Sequence, residues 1–392
     1  MNIKELEEKF ILPTYRRQDL VVKNARGKYI DDGKKRYLDF FTGISVNNLG
    51  HRPSAVEKAA RKQLSRFWHI SNFYYAEPVI QLARELVRRS FPGKVFFSNS
   101  GAEANECAIK LARKYGADSG RYQIIVFENS FHGRTLATLT ATGQKKFQKG
   151  FAPLPAGFRY AKFNDIGSVK KLINKKTVAI MVEPVQGEGG IYPAEINFLL
   201  GLRQLADRHK LLLIFDEIQC GMGRTGHLFA FQRYGVKPDI VTLAKALAAG
   251  FPLAATIVAK KYSTIFKYGD HGSTFGGNPV CCAAGLAMLK LIDKDLLANV
   301  GRMEKLFFQL ATGFVRKYPF VIAVRGLGML WAIELNIPGK EIVEKALARG
   351  LLINCTQEKI LRMLPPLNIT ENDLRKAMGI LDKIFETLKF NA

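Results

Sequence analysis

The chain has 392 residues and a formal net charge of +25, with 47% hydrophobic and 24% charged residues. That length is enough to bury large cores and favours two domains, and the composition excludes a disordered, collagenous or disulfide-stapled chain. No apolar run reaches the length of a membrane-spanning helix.

The basic residues fall in short groups such as Lys34-Lys35-Arg36, Lys145-Lys146 and Lys170-Lys171. They are spread along the chain with no basic arm or aromatic-interleaved module, so nucleic acid is not the expected partner; a solvated basic surface is, with recognition of a polyanion or acidic partner as the alternative. Residues 1–9 mix charges and form no hydrophobic signal segment, which points to the cytoplasm. Cys107, Cys220, Cys281, Cys282 and Cys355 show no Cys-x-x-Cys pairing and read as reduced thiols. The six histidines have no metal-ligand spacing, so no metal is expected.

In chain order, the apolar run Val95-Phe96-Phe97 predicts a strand. A helix follows, with apolar positions Ala104, Ala108, Leu111, Ala112 and Tyr115 on one face. Further strands are expected over 124–127, 178–182, 211–215, 240–243 and 256–258. Runs apolar on both faces suit central strands of a mostly parallel α/β sheet covered by helices, where ligands sit beyond the carboxyl ends of the strands. After about Ala287 the pattern changes. Short strands are expected over 329–335 and 351–353. A last helix opens at Thr370 with Asp373 as its capping-box partner, and its stripe is Leu374, Ala377, Met378, Leu381, Ile384, Phe385 and Leu388. The expected division is an N-terminal segment (1–45) packing with a small α+β domain (287–392), and a large domain (46–286) between them.

Several strand ends carry chemistry. Lys245 follows the 240–243 run in a small-residue turn closed by Gly250 and Pro252, and Asp216 ends the 211–215 run. A desolvated lysine loses its charge and becomes a nucleophile toward an aldehyde, the Schiff-base chemistry of pyridoxal phosphate. Asp216 would then hold a pyridine nitrogen protonated, and Gln219 would reach the ring hydroxyl. Ser100, Gly101 and Ala102 open the helix after the first strand, where unpaired amides and the helix dipole favour an anion. Phe131 offers a stacking face and Arg134 a planar fork for a carboxylate. The loop Gly272-Ser273-Thr274 offers hydroxyls. Taken singly, each has a plainer reading: a lysine reaching solvent, a capping aspartate, an ordinary glycine turn, a core phenylalanine, a surface arginine.

Taken in order, the motifs resemble class III, fold-type I aminotransferases. They are Ser-Asn-Ser-Gly-Ala-Glu-Ala-Asn (98–105), Phe-His-Gly-Arg-Thr (131–135), Val-Glu-Pro-Val-Gln-Gly-Glu-Gly-Gly (182–190), Asp-Glu-Ile-Gln-Cys-Gly-Met-Gly-Arg-Thr-Gly (216–226), the Lys245 segment and His-Gly-Ser-Thr-Phe-Gly-Gly-Asn-Pro (271–279). The resemblance runs from about Tyr15 to the end. Phe67-Trp68-His69-Ile70-Ser71-Asn72 and the segments 351–354 and 361–367 are most similar to the acetylornithine aminotransferases within that family.

The resemblance implies pyridoxal 5'-phosphate bonded to Lys245, which also shuttles the substrate proton, with Asp216, Gln219, Phe131 and the Ser100–Ala102 turn around the ring and phosphate. It implies a homodimer in which Thr274 completes the phosphate site of the partner subunit. It further implies that Arg134 and Arg362 hold substrate carboxylates, that Glu188 pairs with Arg362 while the basic or acylated substrate is bound, and that Tyr15 lines the substrate entrance. The implied reaction is transamination of N-acetyl-L-ornithine with 2-oxoglutarate. Ornithine, succinylornithine, 4-aminobutyrate and a carrier-linked lysine stand as alternative donors, and a non-catalytic polyanion-binding protein as an alternative of another class. Two departures, Cys220 for a threonine and Ala248-Ala249-Gly250 for a glycine triplet, bear on loop shape only.

Overall fold

The structure, a computed structural model, describes residues 2–388. An N-terminal antiparallel ladder, β1 (Asn24–Arg26), β2 (Tyr29–Asp31) and β3 (Arg36–Asp39), precedes the main sheet of β4 (Gly93–Ser98), β5 (Gln123–Phe127), β6 (Phe158–Ala161), β7 (Thr177–Val182), β10 (Leu212–Asp216), β11 (Ile240–Leu243) and β12 (Ala254–Ala259). A short hairpin, β8 (Val185–Gln186) and β9 (Tyr192–Pro193), interrupts this series. The order across the sheet is β4-β12-β11-β10-β7-β5-β6. Only β12 runs antiparallel to its neighbours. The carboxyl ends of β4, β5, β7, β10 and β11 therefore open onto one edge.

Alternation explains the continuous apolar runs. Ile125, Phe127, Ile180, Val182, Leu213 and Phe215 enter one core, while Ile124, Val126, Ala179, Met181, Leu212 and Ile214 enter the core on the opposite face. The sequence reading missed β6. It is an edge strand whose central Arg159 and Tyr160 are exposed, so it carries no apolar run. The helix Gly101–Gly116 and the last helix, Glu371–Glu386, form as expected, the latter with the reciprocal Thr370–Asp373 capping box.

In the C-terminal region, β13 (Val321–Leu327), β14 (Leu330–Leu335), β16 (Asn354–Thr356) and β17 (Ile360–Met363) form a second sheet, whereas β15 (Leu351–Leu352) leaves it to pair with β3. Leu38 and Phe40 share a core with Phe307, Trp331 and Phe385. Arg224 ties three parts of the chain together. It is fully buried and donates to Ser45 Oγ (3.1 Å), Met329 O (3.2 Å), Asn48 Oδ1 and Pro365 O. Burial lowers its pKa to about 9, with Asp39 acting in the opposite sense. Among the described residues no helix is long and apolar enough to cross a membrane.

Candidate active site

The loops leaving β4, β5, β7, β10 and β11 enclose a cavity of about 440 Å³, lined by Ser100, Gly101, Ala102, Phe131, Arg134, Asp216, Gln219 and Lys245. This is the size range of small-ligand sites, at the sheet edge where such sites form.

At one end, Ser100 Oγ accepts from Glu103 N (3.3 Å) and caps the helix, leaving Gly101 and Ala102 in the first turn, where N–H groups have no helical acceptor. A side chain on Gly101 would meet Ile218 Cδ1 at 2.9 Å, so glycine keeps this approach open.

Asp216 is the last residue of β10 and is buried. Its Oδ2 accepts from Asn105 Nδ2 (2.8 Å) and lies 2.8 Å from His132 Nδ1, and its Oδ1 accepts from Ile218 N (3.1 Å). Thr242 Oγ1 in turn donates to Asn105 Oδ1 (2.8 Å). His132 Nε2 is buried without a partner among the described residues. Asn105 and His132 were not singled out in the sequence. The available signal for Asn105 was its place one turn after Gly101 on the same helix face.

Lys245 opens a short 3₁₀ turn after β11 with φ 44°, a left-handed conformation uncommon outside glycine and often found at functional sites. Its amine makes no hydrogen bond or ion pair among the described residues. Burial lowers its pKa; Arg362 acts the same way, and Glu188, Asp216 and Glu183 oppose. Ala249, in the stretch that departs from the glycine triplet, also takes a positive φ, of 50°.

Glu183 follows β7, so the strand-end rule would have found it, yet it too was missed. It accepts from Phe131 N (2.9 Å) and Gly187 N (3.4 Å). Burial, reinforced by Asp216, pushes its carboxyl well above the usual range.

A second cluster adjoins the cavity. Arg362 lies within β17 rather than after a strand. Its Nη1 donates to Glu188 Oε1 (2.6 Å), and its Nε to Asn354 Oδ1 (3.1 Å). Burial raises the Glu188 carboxyl, but the Arg362 and Lys245 charges outweigh it and hold the pKa below its ordinary value. Gln219 stands between the two: its Nε2 donates to Glu188 Oε1 and its Oε1 accepts from Arg362 Nη1, both at 3.4 Å. A side chain on Gly187 would fall 2.0 Å from Gln219 Oε1.

Two further sequence-selected residues line neither the cavity nor the Glu188–Arg362 cluster. Thr274 is exposed beside a groove lined by His69 to Asn72 and Tyr74 to Ala76. Tyr15 is 75% exposed, with the Arg17 guanidinium 5.8 Å from its ring.

The residues present fit pyridoxal phosphate. The helix N-terminus offers an anion seat, Lys245 an unpaired amine of lowered pKa, Asp216 a buried carboxylate, and Phe131 an aromatic face.

The Aminotransferase class-III family matches residues 12–385. An acetylornithine aminotransferase of Methanocaldococcus jannaschii is 48% identical, covering 98% of each chain. A succinylornithine transaminase of Yersinia pseudotuberculosis is 44% identical, over 95% of this chain and 94% of the relative. The solved ornithine aminotransferase of Toxoplasma gondii superposes with a TM-score of 0.94 at 30% identity, over 98% of this chain and 94% of that one. With a cavity that fits the cofactor and a family match spanning nearly all its length, this chain belongs to the class-III aminotransferases.

Proposed function

We propose that this enzyme transfers the terminal amine of N-acetyl-L-ornithine to 2-oxoglutarate, giving N-acetyl-L-glutamate 5-semialdehyde and L-glutamate, as a cytoplasmic step of arginine biosynthesis. The observation that carries the reading is the Glu188–Arg362 pair beside the Lys245 amine. With Arg362 neutralised by Glu188, the site accepts a donor that brings one carboxylate to Arg134 and an uncharged acyl group elsewhere. When glutamate is the donor, Glu188 turns aside, Arg362 takes the α-carboxylate, and Arg134 takes the side-chain carboxylate. The similarity to acetylornithine aminotransferases supports this choice.

Pyridoxal phosphate, when bound, supplies an aldehyde for the amine and a pyridinium that accepts the electron pair of the broken C–H bond. Ser100, Gly101 and Ala102 would hold its phosphate at the positive end of the helix dipole. Phe131 would cover its ring, Asp216 would keep a proton on the ring nitrogen, and Gln219 would bond to the phenolic oxygen. The Lys245 amine takes the proton from the substrate carbon and returns it, while Arg134 keeps that C–H bond in line. Tyr15 would border the entrance.

The proposed assembly is a homodimer in which Thr274 serves the partner's phosphate site. The aromatic surface near Thr274 supports it: Trp68, Phe73, Tyr75 and Phe275 are 67%, 94%, 97% and 61% exposed. Sedimentation of the enzyme as a monomer would count against this assembly.

The test is a set of half-reaction rates on one preparation with acetylornithine, ornithine, succinylornithine, 4-aminobutyrate and a carrier-linked lysine. Acetylornithine should give the highest specificity constant. A higher constant for any other donor would replace it as the substrate.

A further inference from the structure

We propose that Phe147 is a positioning residue that fixes Arg134 at its distance from the Glu188–Arg362 pair, and so sets the length of dicarboxylate the enzyme accepts. The inference rests on the proposed roles of Arg134 and Arg362. Arg134 is exposed and makes no hydrogen bond or ion pair among the described residues. Its close neighbours are two rings: the guanidinium carbon lies 4.1 Å from the Phe147 centroid and 5.6 Å from that of Phe131. A guanidinium held over a ring by cation–π attraction spends none of its N–H donors on the contact and leaves its fork free for a carboxylate. Phe147 also meets Phe131 edge-on, with centroids 5.9 Å apart and an interplanar angle of 82°. One ring therefore braces both the carboxylate fork and the stacking face.

Phe147 is itself anchored at both ends of the site. Its N–H donates to Gln144 O (3.0 Å), and Gln144 Nε2 donates to Ser130 O (3.1 Å), next to Phe131. On the far side, Gln357 Nε2 donates to both Gln144 Oε1 (3.1 Å) and Glu188 O (3.0 Å), and Lys146 Nζ donates to Gln357 Oε1 (3.0 Å). The Gln144–Phe147 turn thus spans from the Arg134 fork to the Glu188 loop. A long, exposed arginine without this brace would sample many rotamers, and its separation from Arg362 would be ill defined.

The test is calorimetric binding of 2-oxoglutarate and the one-carbon-longer 2-oxoadipate to the holoenzymes of wild type, Phe147→Leu and Phe147→Tyr, with half-reaction rates alongside. Phe147→Leu should weaken 2-oxoglutarate binding about fivefold, the size of an exposed cation–π contact. It should also narrow the preference over 2-oxoadipate, and raise KM for glutamate more than it lowers kcat. Phe147→Tyr, which keeps the ring, should behave as wild type. The ratio of the two affinities does not depend on the fraction of folded protein, and Phe147→Met replaces the leucine variant if that one fails to fold. An unchanged ratio in the aliphatic variant, or an equal loss with tyrosine, would overturn the role of Phe147. If instead Arg134→Gln binds 2-oxoglutarate as well as wild type does, the underlying reading of Arg134 fails, whatever Phe147 does.

Discussion

Arg362 Nη1 and Glu188 Oε1 meet at 2.6 Å although 174 residues separate them in the chain. Arg362 is almost wholly buried and Glu188 is partly so. Their pairing spares each the cost of a lone charge, so removing either partner exposes the function of the other. Arg362→Ala should slow the glutamate half-reaction on the order of a hundredfold, the value of a lost charge-assisted bond to a carboxylate. The acetylornithine half-reaction should suffer much less. Glu188→Ala should do the reverse and favour glutamate, since nothing then competes for the guanidinium. Stopped-flow half-reactions decide: equal losses in both would refute the alternation.

Lys245 links the site to stability. Burial lowers its folded pKa, while the unfolded chain keeps a value near 10.4. Between those two values the unfolded chain binds a proton that the folded chain does not, so the stability of cofactor-free protein rises with pH across that window. Its contribution is complete above about pH 10.4 and is lost as pH falls through the lowered folded value. Lys245→Met removes the buried amine. It should abolish transamination, unfold at higher denaturant than wild type near neutral pH, and lose that advantage as pH rises. Denaturant midpoints of both cofactor-free proteins across this range provide the check; a constant difference would contradict it.

Asp216 is held by Asn105, His132 and the Ile218 amide. Asp216→Asn keeps the side chain's size but removes the charge facing the proposed ring nitrogen. The variant should fold and retain cofactor absorbance while proton abstraction slows by about a hundredfold or more, as when a preorganised electrostatic contact is lost. A near-normal rate would refute the proposed role.

Much of the fold was legible because its signals are local. Six strands of the main sheet declared themselves as short apolar runs, whereas β6 did not, since an edge strand need not be apolar on both faces. Thr370 and Asp373 announced the last helix because a capping box involves residues three apart. Lys245 and Asp216 were found for a related reason: in a parallel sheet, the residue after or at the end of an apolar strand falls at the ligand edge.

The sequence by itself therefore determined six strands of the main sheet, the cap of the last helix, and the placing of Lys245 and Asp216 at one edge of that sheet. Only the tertiary structure decided which side chains touch. Gln219 lies between Glu188 and Arg362, Asn105 and His132 grip Asp216, and the Phe147 ring lies against the Arg134 guanidinium. The physical reason is that strand and helix periodicity acts over a few residues and leaves a one-dimensional trace. These contacts depend instead on the order of strands in the sheet and on how the segments bearing Glu188 and Gln219 meet the C-terminal strand bearing Arg362, and no spacing in the chain encodes that.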